Sequence, residues 1–221
     1  MSAARAPCPT LMTNVVIFTI RARRLQLLLV RRAAPPFAGR WALPGGHVDM
    51  NEDLDAAARR QLREETGVSG VYLEQLYTFG AVHRDPRERV VSVAYYALIP
   101  SDRLHLQAGT DAEAVAWFAC DALPQLAFDH REIVTTAQRR LAAKLDYSTI
   151  AFQFMAEEFT LRELQEVFEI IHGTPLDKRN FRKSVLALDC LEDTGRTRSG
   201  GAHRPARLYR LKQRDRVEII K

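Results

Sequence analysis

Apolar positions recur along this chain with two periods, and the alternation between them lays out its elements. VVIFTIR (Val15–Arg21) and LQLLLVRR (Leu25–Arg32) are short apolar runs that predict strands, joined by a short basic turn. Ala33–Arg40, with two prolines and a glycine, predicts a loop. From Glu52 to Thr66 the spacing becomes helical: Leu54, Ala58 and Leu62 form one stripe, Gln61, Glu64 and Glu65 share another face, and Gly67 supplies the stop. Strand signals return at Val71–Val82 and Glu88–Ile99, on either side of the loop His83–Arg89, and again at Glu113–Leu123. His130–Leu145 then predicts an amphipathic helix that closes a first domain.

A second helical pair follows. Thr160 is placed as an N-cap with Glu163 at the capping-box position and Gly173 as the stop, and Leu161, Leu164, Val167, Phe168 and Ile171 form the stripe between them. Asp177 caps a further helix over Lys178–Leu191, whose Phe181, Val185 and Leu188 face inward. The ribbon from Glu192 to Lys212, glycine-rich and ending in the strand-like LYRL, predicts a hairpin. The order of elements predicts an α+β chain of two domains, residues 1–146 and 147–221, with disorder expected over about the first ten residues.

Composition sharpens this picture at two points. The 221 residues are 47% apolar, enough for one domain-sized core and a small second one. The three cysteines, Cys8, Cys120 and Cys190, are scattered without metal-ligand spacing, which points away from a disulfide framework or zinc site and towards a reducing cytoplasm. No run reaches the length of a membrane span, and the Val15–Ile20 run lacks the cleavage site of a signal peptide, so no membrane partner is expected. Charge is the second point. From Thr174 onward thirteen Lys/Arg face six Asp/Glu, so that segment is +7 while the remainder of this +5 chain is −2. Cationic excess on so short a piece favours phosphate contacts, which dominate nucleic-acid affinity. The blander reading is a basic tail that aids solubility.

The chemistry-bearing candidates lie in GHVDMNEDLDAAARRQLREETGV (Gly46–Val68). Adjacent carboxylates on a rigid helix suit a hard cation such as magnesium, which bridges protein carboxylates to substrate phosphates. The competing reading is a solvated helix with an ordinary Arg60–Glu64 pair. Gly46, Glu52, Arg60, Leu62, Glu64, Glu65, Gly67 and Val68, preceded by WALPGG (Trp41–Gly46), together resemble the signature of the Nudix hydrolases. That resemblance implies an α/β/α sandwich with a mixed sheet, metal ligation and water activation by Glu64 and Glu65, a structural Arg60 tied to Glu52, and close loop approach at Gly46. It also implies attack of water on a nucleoside diphosphate linkage.

Gln61 departs from the pattern, because the family has a third Glu there. Its amide can offer a carbonyl oxygen but cannot take a proton usefully at neutral pH, so magnesium is expected to bind weakly or not at all. Asp85, Glu88 or Glu113 could serve as a replacement base. Arg84, Arg87 and Arg89, near or on the loop between the two later strands, are candidates to clamp phosphate or ribose, the alternative being solvated hairpin residues.

Helix, turn, helix with a basic start and then a basic hairpin is the outline of a winged helix. LDKRNFRKSVLALDCLE and GGAHRPARLYRL, joined to a Nudix domain, resemble the Nudix-related transcriptional regulators of NAD metabolism, the NrtR type. The resemblance implies a homodimeric repressor of NAD-metabolism genes that senses ADP-ribose or a related nucleotide diphosphate and binds double-stranded operator DNA. Arg179 and Asn180 are the candidates for base edges. Lys178, Arg182, Lys183, Arg198, Arg204 and Arg207 are the accompanying DNA-binding residues, of which Lys183, Arg198, Arg204 and Arg207 suit phosphates. The competing class is a magnesium-dependent ADP-ribose or nucleoside diphosphate pyrophosphatase whose basic ending scaffolds a dimer or binds substrate.

Overall fold

The computed structural model describes residues 8–103, 112–199, 205–213 and 216–220. Its elements in chain order are β1 (Thr10–Arg21), β2 (Arg24–Arg32), β3 (Trp41–Ala42), β4 (Gly45–His47), α1 (Leu54–Thr66), β5 (Tyr72–Phe79), β6 (Val90–Leu98), β7 (Ala112–Ala119), α2 (His130–Leu145), α3 (Leu161–His172), α4 (Lys178–Ala187), β8 (Leu191–Arg198) and β9 (Ala206–Leu211). Short 3-10 turns occupy Ser101–Arg103 and Thr149–Phe154. The chain forms two compact units. One takes the residues up to Phe18, Leu27–Ala97 and the segment ending at Ala137; the other takes Thr19–Gln26, the segment beginning at Leu98, and Gln138 onward. The division passes through β1, β2, β6 and α2.

A seven-stranded mixed sheet runs in the order β3-β2-β1-β6-β5, with β4 paired to β1 and β7 to β2. The continuous apolar runs explain its centre: Val15–Phe18 and Leu27–Leu29 are fully buried, as are Ala94 and Tyr96–Ile99. Ala22 and Arg23, in the basic turn between β1 and β2, both have positive φ, the geometry that matches the right-handed twist of two paired strands. Antiparallel pairing of Thr13 with Gly46 and Asn14 with Gly45 lays the WALPGG loop against β1. A Cβ on Gly45 would lie 2.4 Å from the Thr13 carbonyl, so only glycine permits this approach.

Helix α1 follows the cap logic of its sequence. Asp53 accepts from the Ala56 N–H, and Gly67 closes the helix in the left-handed region. The helix starts at Leu54, two residues later than its periodicity suggests, because Glu52 lies in the preceding turn.

In the second unit, Thr160 and Glu163 complete a reciprocal capping box on α3, Gly173 ends it at φ 71°, and Asp177 caps α4. Phe168 and Phe181 meet edge to face at 5.3 Å and join the two helices. Helix α4 ends at Ala187 rather than Leu191. Leu188 caps it, Asp189 takes φ 51°, and Leu191 opens a strand, so the apolar residues that continued the helical stripe belong to the hairpin. β8 and β9 pair antiparallel from Leu191↔Leu211 to Arg198↔Ala206, with an irregularity between Asp193 and Thr197. Reciprocal backbone hydrogen bonds between Phe159 and Tyr209 tie β9 to the segment before α3. The chain end returns as well, with Thr149 N–H donating to Glu218 and Ile220 N–H to Tyr147.

Candidate functional site

The three polar residues of the box do not share one open face. Glu65 lines a cavity of about 660 Å³ in the first unit. Glu64 does not line it; this half-exposed carboxylate accepts from Arg60 Nη1 at 3.4 Å. Gln61 is 7% exposed and lies on the buried side of α1 with Ala57, Ala58 and Leu62. A Cβ added to Gly46 would sit 2.5 Å from Gln61 Nε2. The close approach that Gly46 permits is therefore to the Gln61 amide of its own chain. A glutamate would put a charge into that contact; the neutral amide fits it without one.

Arg60 acts as a strut. It bonds Glu52 through Nη2 at 2.6 Å and Nε at 3.2 Å, and donates to the His47 carbonyl at 3.1 Å. These bonds tie α1 to the loop after β4. The Arg60 hydrogen bond, then the Asp49 backbone N–H, hold the Glu52 carboxyl below its usual range.

Of the three candidate clamp arginines, Arg84 and Arg87 line the cavity and Arg89 does not. Arg89 instead donates to the Ala81 and Val90 carbonyls at 3.2 Å. Arg84 is buried and bonded by both forks to Asp129, at 2.8 and 2.7 Å. Arg87 pairs with Asp85 at 3.0 and 2.7 Å, and that guanidinium keeps the Asp85 carboxyl below its ordinary value. Asp85 is thus held as the partner of Arg87. Glu88 accepts from the Thr10 hydroxyl at 2.8 Å, away from the cavity, and the Glu113 side chain lies outside the described residues.

The remaining cavity wall was not anticipated from sequence. Five consecutive residues, Leu126–His130, clamp onto the strands and loops around it. Leu126 bridges Trp41, Ala127 N–H donates to the Trp41 carbonyl at 2.8 Å, Asp129 holds Arg84, and His130 Nδ1 accepts from Leu43 N–H at 2.9 Å. The Phe128 ring meets Phe37 edge to face at 4.9 Å, and the guanidinium carbons of Arg32 and Arg87 lie 4.8 and 5.9 Å from its centroid. Phe37 and Phe128 both have left-handed backbone, φ 64° and 51°. Bulky residues adopt that conformation at a cost of order 1–3 kcal/mol, and such strain clusters at ligand sites. No local periodicity marks these residues, because each acts through a partner distant in sequence.

The donor set does not fit a magnesium centre. Glu65 faces the cavity, Glu64 is engaged by a guanidinium, and Gln61 supplies an amide wedged under β4. Among the described residues no three His, Cys, Asp or Glu side chains stand together as a cation cluster.

The second unit contains a groove of about 1060 Å³ between the start of α3, the start of α4 and the hairpin. Arg162, Lys178, Arg182, Arg198 and Arg207 line it with a single carboxylate, Glu163. Arg179, Asn180 and Lys183 are exposed on α4 but outside this lining, and Arg204 lies outside the described residues. The cations fall into two classes. Lys178, Arg179, Arg182 and Lys183 form no ion pair among the described residues. The described hairpin arginines are matched: Arg198 with Glu163 at 2.8 Å, Arg207 with Asp193 at 2.9 Å, Arg210 with Glu192 at 2.9 Å, and Arg196 with Glu158. Arg198 also donates to the Glu158 carbonyl. The described hairpin arginines are thus paired within the hairpin, with α3 or with Glu158 before it, while the α4 cations are not.

Two family models match the chain: a NUDIX domain over residues 10–141, and an NrtR DNA-binding winged helix domain over residues 151–211. An ADPR responsive transcriptional repressor, NtrR, of Acinetobacter baylyi is 38% identical over 95% of this chain and 84% of its own length. The chain belongs to the NrtR family. Among solved NrtR structures, that of Shewanella oneidensis NrtR complexed with a 27mer DNA superposes with a TM-score of 0.83 at 39% identity, covering 91% of this chain and 93% of that one. The NUDIX domain of the same protein, complexed with ADP ribose, matches 61% of this chain and 90% of its own with a TM-score of 0.56 at 37% identity. Both halves of the NrtR architecture are therefore present here, the cavity in one and the cationic groove in the other.

Proposed function

We propose that this protein is a DNA-binding transcriptional repressor whose Nudix unit senses ADP-ribose or a related nucleotide diphosphate. Its targets are genes of NAD metabolism, and it works in the cytoplasm as a homodimer. The carrying observation is the pairing of an arginine-rich cavity beside a Nudix box that lacks its third carboxylate with a winged helix whose α4 cations are uncommitted. No helix among the described residues is long and apolar enough to cross a membrane.

A pocket that binds a diphosphate does not thereby cleave it, because only interactions stronger in the transition state than in the ground state accelerate a reaction. Nudix hydrolases generally use divalent metal ions; the ligand set here is poor, so hydrolysis is slow or absent. Lys178, Arg182 and the neighbouring cations of α4 supply phosphate contacts, and Arg179 and Asn180, exposed at the helix start, reach base edges. Ligand and DNA oppose each other through thermodynamic linkage. The test is fluorescence anisotropy on duplex DNA from the protein's own genomic neighbourhood, with and without ADP-ribose. Salt-sensitive binding that ADP-ribose weakens supports the proposal; binding indifferent to ADP-ribose refutes the sensing half, and no binding refutes the regulatory one.

A further inference from the structure

Among the described residues His130 is the one imidazole in the cavity wall, and its chemistry is constrained. The side chain is 5% exposed, yet it lines the 660 Å³ cavity. Its Nδ1 accepts the Leu43 N–H at 2.9 Å, which fixes the neutral ring with its proton on Nε2. Leu43 belongs to the WALPGG segment and His130 opens α2, so two separate parts of the first unit hold the ring in place.

Burial, then the nearby Arg84 and Arg32 guanidiniums, push the imidazole pKa down to about 3. The ring therefore remains neutral throughout the physiological range. The charged groups facing it are Arg32 from β2 and Arg84 from the loop after β5, with Asp129 on its own segment engaged by Arg84. Among the described residues no side chain or carbonyl accepts the Nε2 proton. The Nε2–H is not among the buried groups left without a partner; it opens onto the polar cavity and is available to an acceptor that enters it. The same two arginines that disfavour a positive charge on the ring make this corner electropositive, so the acceptor it suits is anionic oxygen.

We propose that His130 is a specificity-determining residue of the nucleotide site: its Nε2–H donates to an oxygen of the ligand's diphosphate in the corner formed by Arg32 and Arg84. This inference rests on the ADP-ribose reading above and adds to it the residue that reads the diphosphate. Because the ring only donates there, it discriminates against ligands that present a group without an acceptor, such as an ammonium, at that position. Because it carries no charge, its contribution does not vary across the pH range in which free histidine titrates.

The test is calorimetric titration of ADP-ribose, with adenosine as a probe lacking the diphosphate, into the full chain and into His130→Leu and His130→Gln. Glutamine keeps both an acceptor for Leu43 N–H and an N–H donor, and so guards against a loss caused only by misfolding; each variant is checked for a cooperative thermal transition. The inference expects His130→Leu to weaken ADP-ribose roughly ten- to hundredfold, the range for a hydrogen bond to a charged group. It expects His130→Gln to recover most of that loss, and adenosine affinity to be unaffected in both. Wild-type affinity should stay flat between about pH 5.5 and 8, and the imidazole nitrogen resonances should report the Nε2–H tautomer. If wild type binds ADP-ribose and both variants bind it equally well, or if affinity rises as histidine would protonate, His130 is not the reader. If wild type does not bind ADP-ribose at all, the parent reading fails and carries the inference with it.

Discussion

Replacing Gln61 by glutamate would restore the letter of the Nudix signature, and the structure argues that it would not restore the chemistry. The Gln61 side chain is 7% exposed, and its amide occupies the space a Cβ on Gly46 would need, 2.5 Å away. An isosteric carboxylate there exchanges a neutral group for a charge in a desolvated contact, one turn before Glu64 and Glu65. Desolvation and like charges both raise its pKa. A positioned, ionised base is worth about a hundred- to ten-thousandfold in rate, but only if it reaches the reacting water. Burying a polar group without compensation costs about 1–3 kcal/mol, which for a chain of this size lowers Tm by roughly 2–12 °C. A carboxylate whose folded pKa is raised is tolerated below its unfolded value and becomes destabilising as pH rises through the interval between the two. The expected result is therefore AMP release from ADP-ribose within about tenfold of wild type, with a Tm deficit larger at pH 8 than at pH 4.5. AMP would be quantified chromatographically with magnesium present, and Tm by calorimetry. A gain of a hundredfold or more with an unchanged Tm would show that Gln61 is a displaced catalytic position and not a packing residue.

Other substitutions follow the same logic. His130 folds with its pKa far below the usual 6.5, so the unfolded chain binds a proton that the native one excludes; stability should fall from about pH 6.5 toward pH 3 by up to about 1.4 kcal/mol per pH unit, and His130→Gln should remove that part of the slope in denaturant titrations. Asp129→Ala strands the buried Arg84 guanidinium and should cost about 3–5 kcal/mol in chemical unfolding; a cost below 1 kcal/mol would mean that water replaces the carboxylate. Glu158→Gln releases Arg196 and should steepen the dependence of log K for DNA on log salt by about 0.9, the increment for one added phosphate contact, whereas an unchanged slope would show that Arg196 stays off the backbone. Lys178→Ala should flatten that slope by a similar amount and weaken all duplexes alike; selective loss at one sequence would assign Lys178 to base readout.

Structure is legible in the sequence where the physics is local. Thr160, Glu163, Gly173 and Asp177 stand at the caps their types and spacing demand, because a cap is settled within four residues. The same holds for the strands of the central sheet and for Arg60 beside Glu52. Reading the α1 wheel by polarity put Gln61 on the acidic face, whereas packing under Gly46 put it on the buried one; that preference comes from β4, fifteen residues away. Arg84 lines the cavity, but its Asp129 partner is not legible from the sequence, since nothing near it announces a carboxylate 45 residues on. The apolar spacing of Leu188, Cys190 and Leu191 predicts a longer α4 than the chain forms, because the positive φ of Asp189 interrupts it. The Leu126–His130 wall was invisible to periodicity altogether, being assembled from contacts with the Trp41–Leu43 segment, Arg84 and Phe37.

The two phenylalanines with left-handed backbone have a practical corollary for anyone seeking a hardier version of this protein. A search guided by melting temperature would be drawn to Phe37 and Phe128, since glycine relieves a positive φ at once. Replacing Phe128 would strip the aromatic face against which Arg32 and Arg87 rest, and replacing Phe37 the face beneath Arg40. At both positions the relief of backbone strain is set against the loss of an aromatic face that supports an arginine.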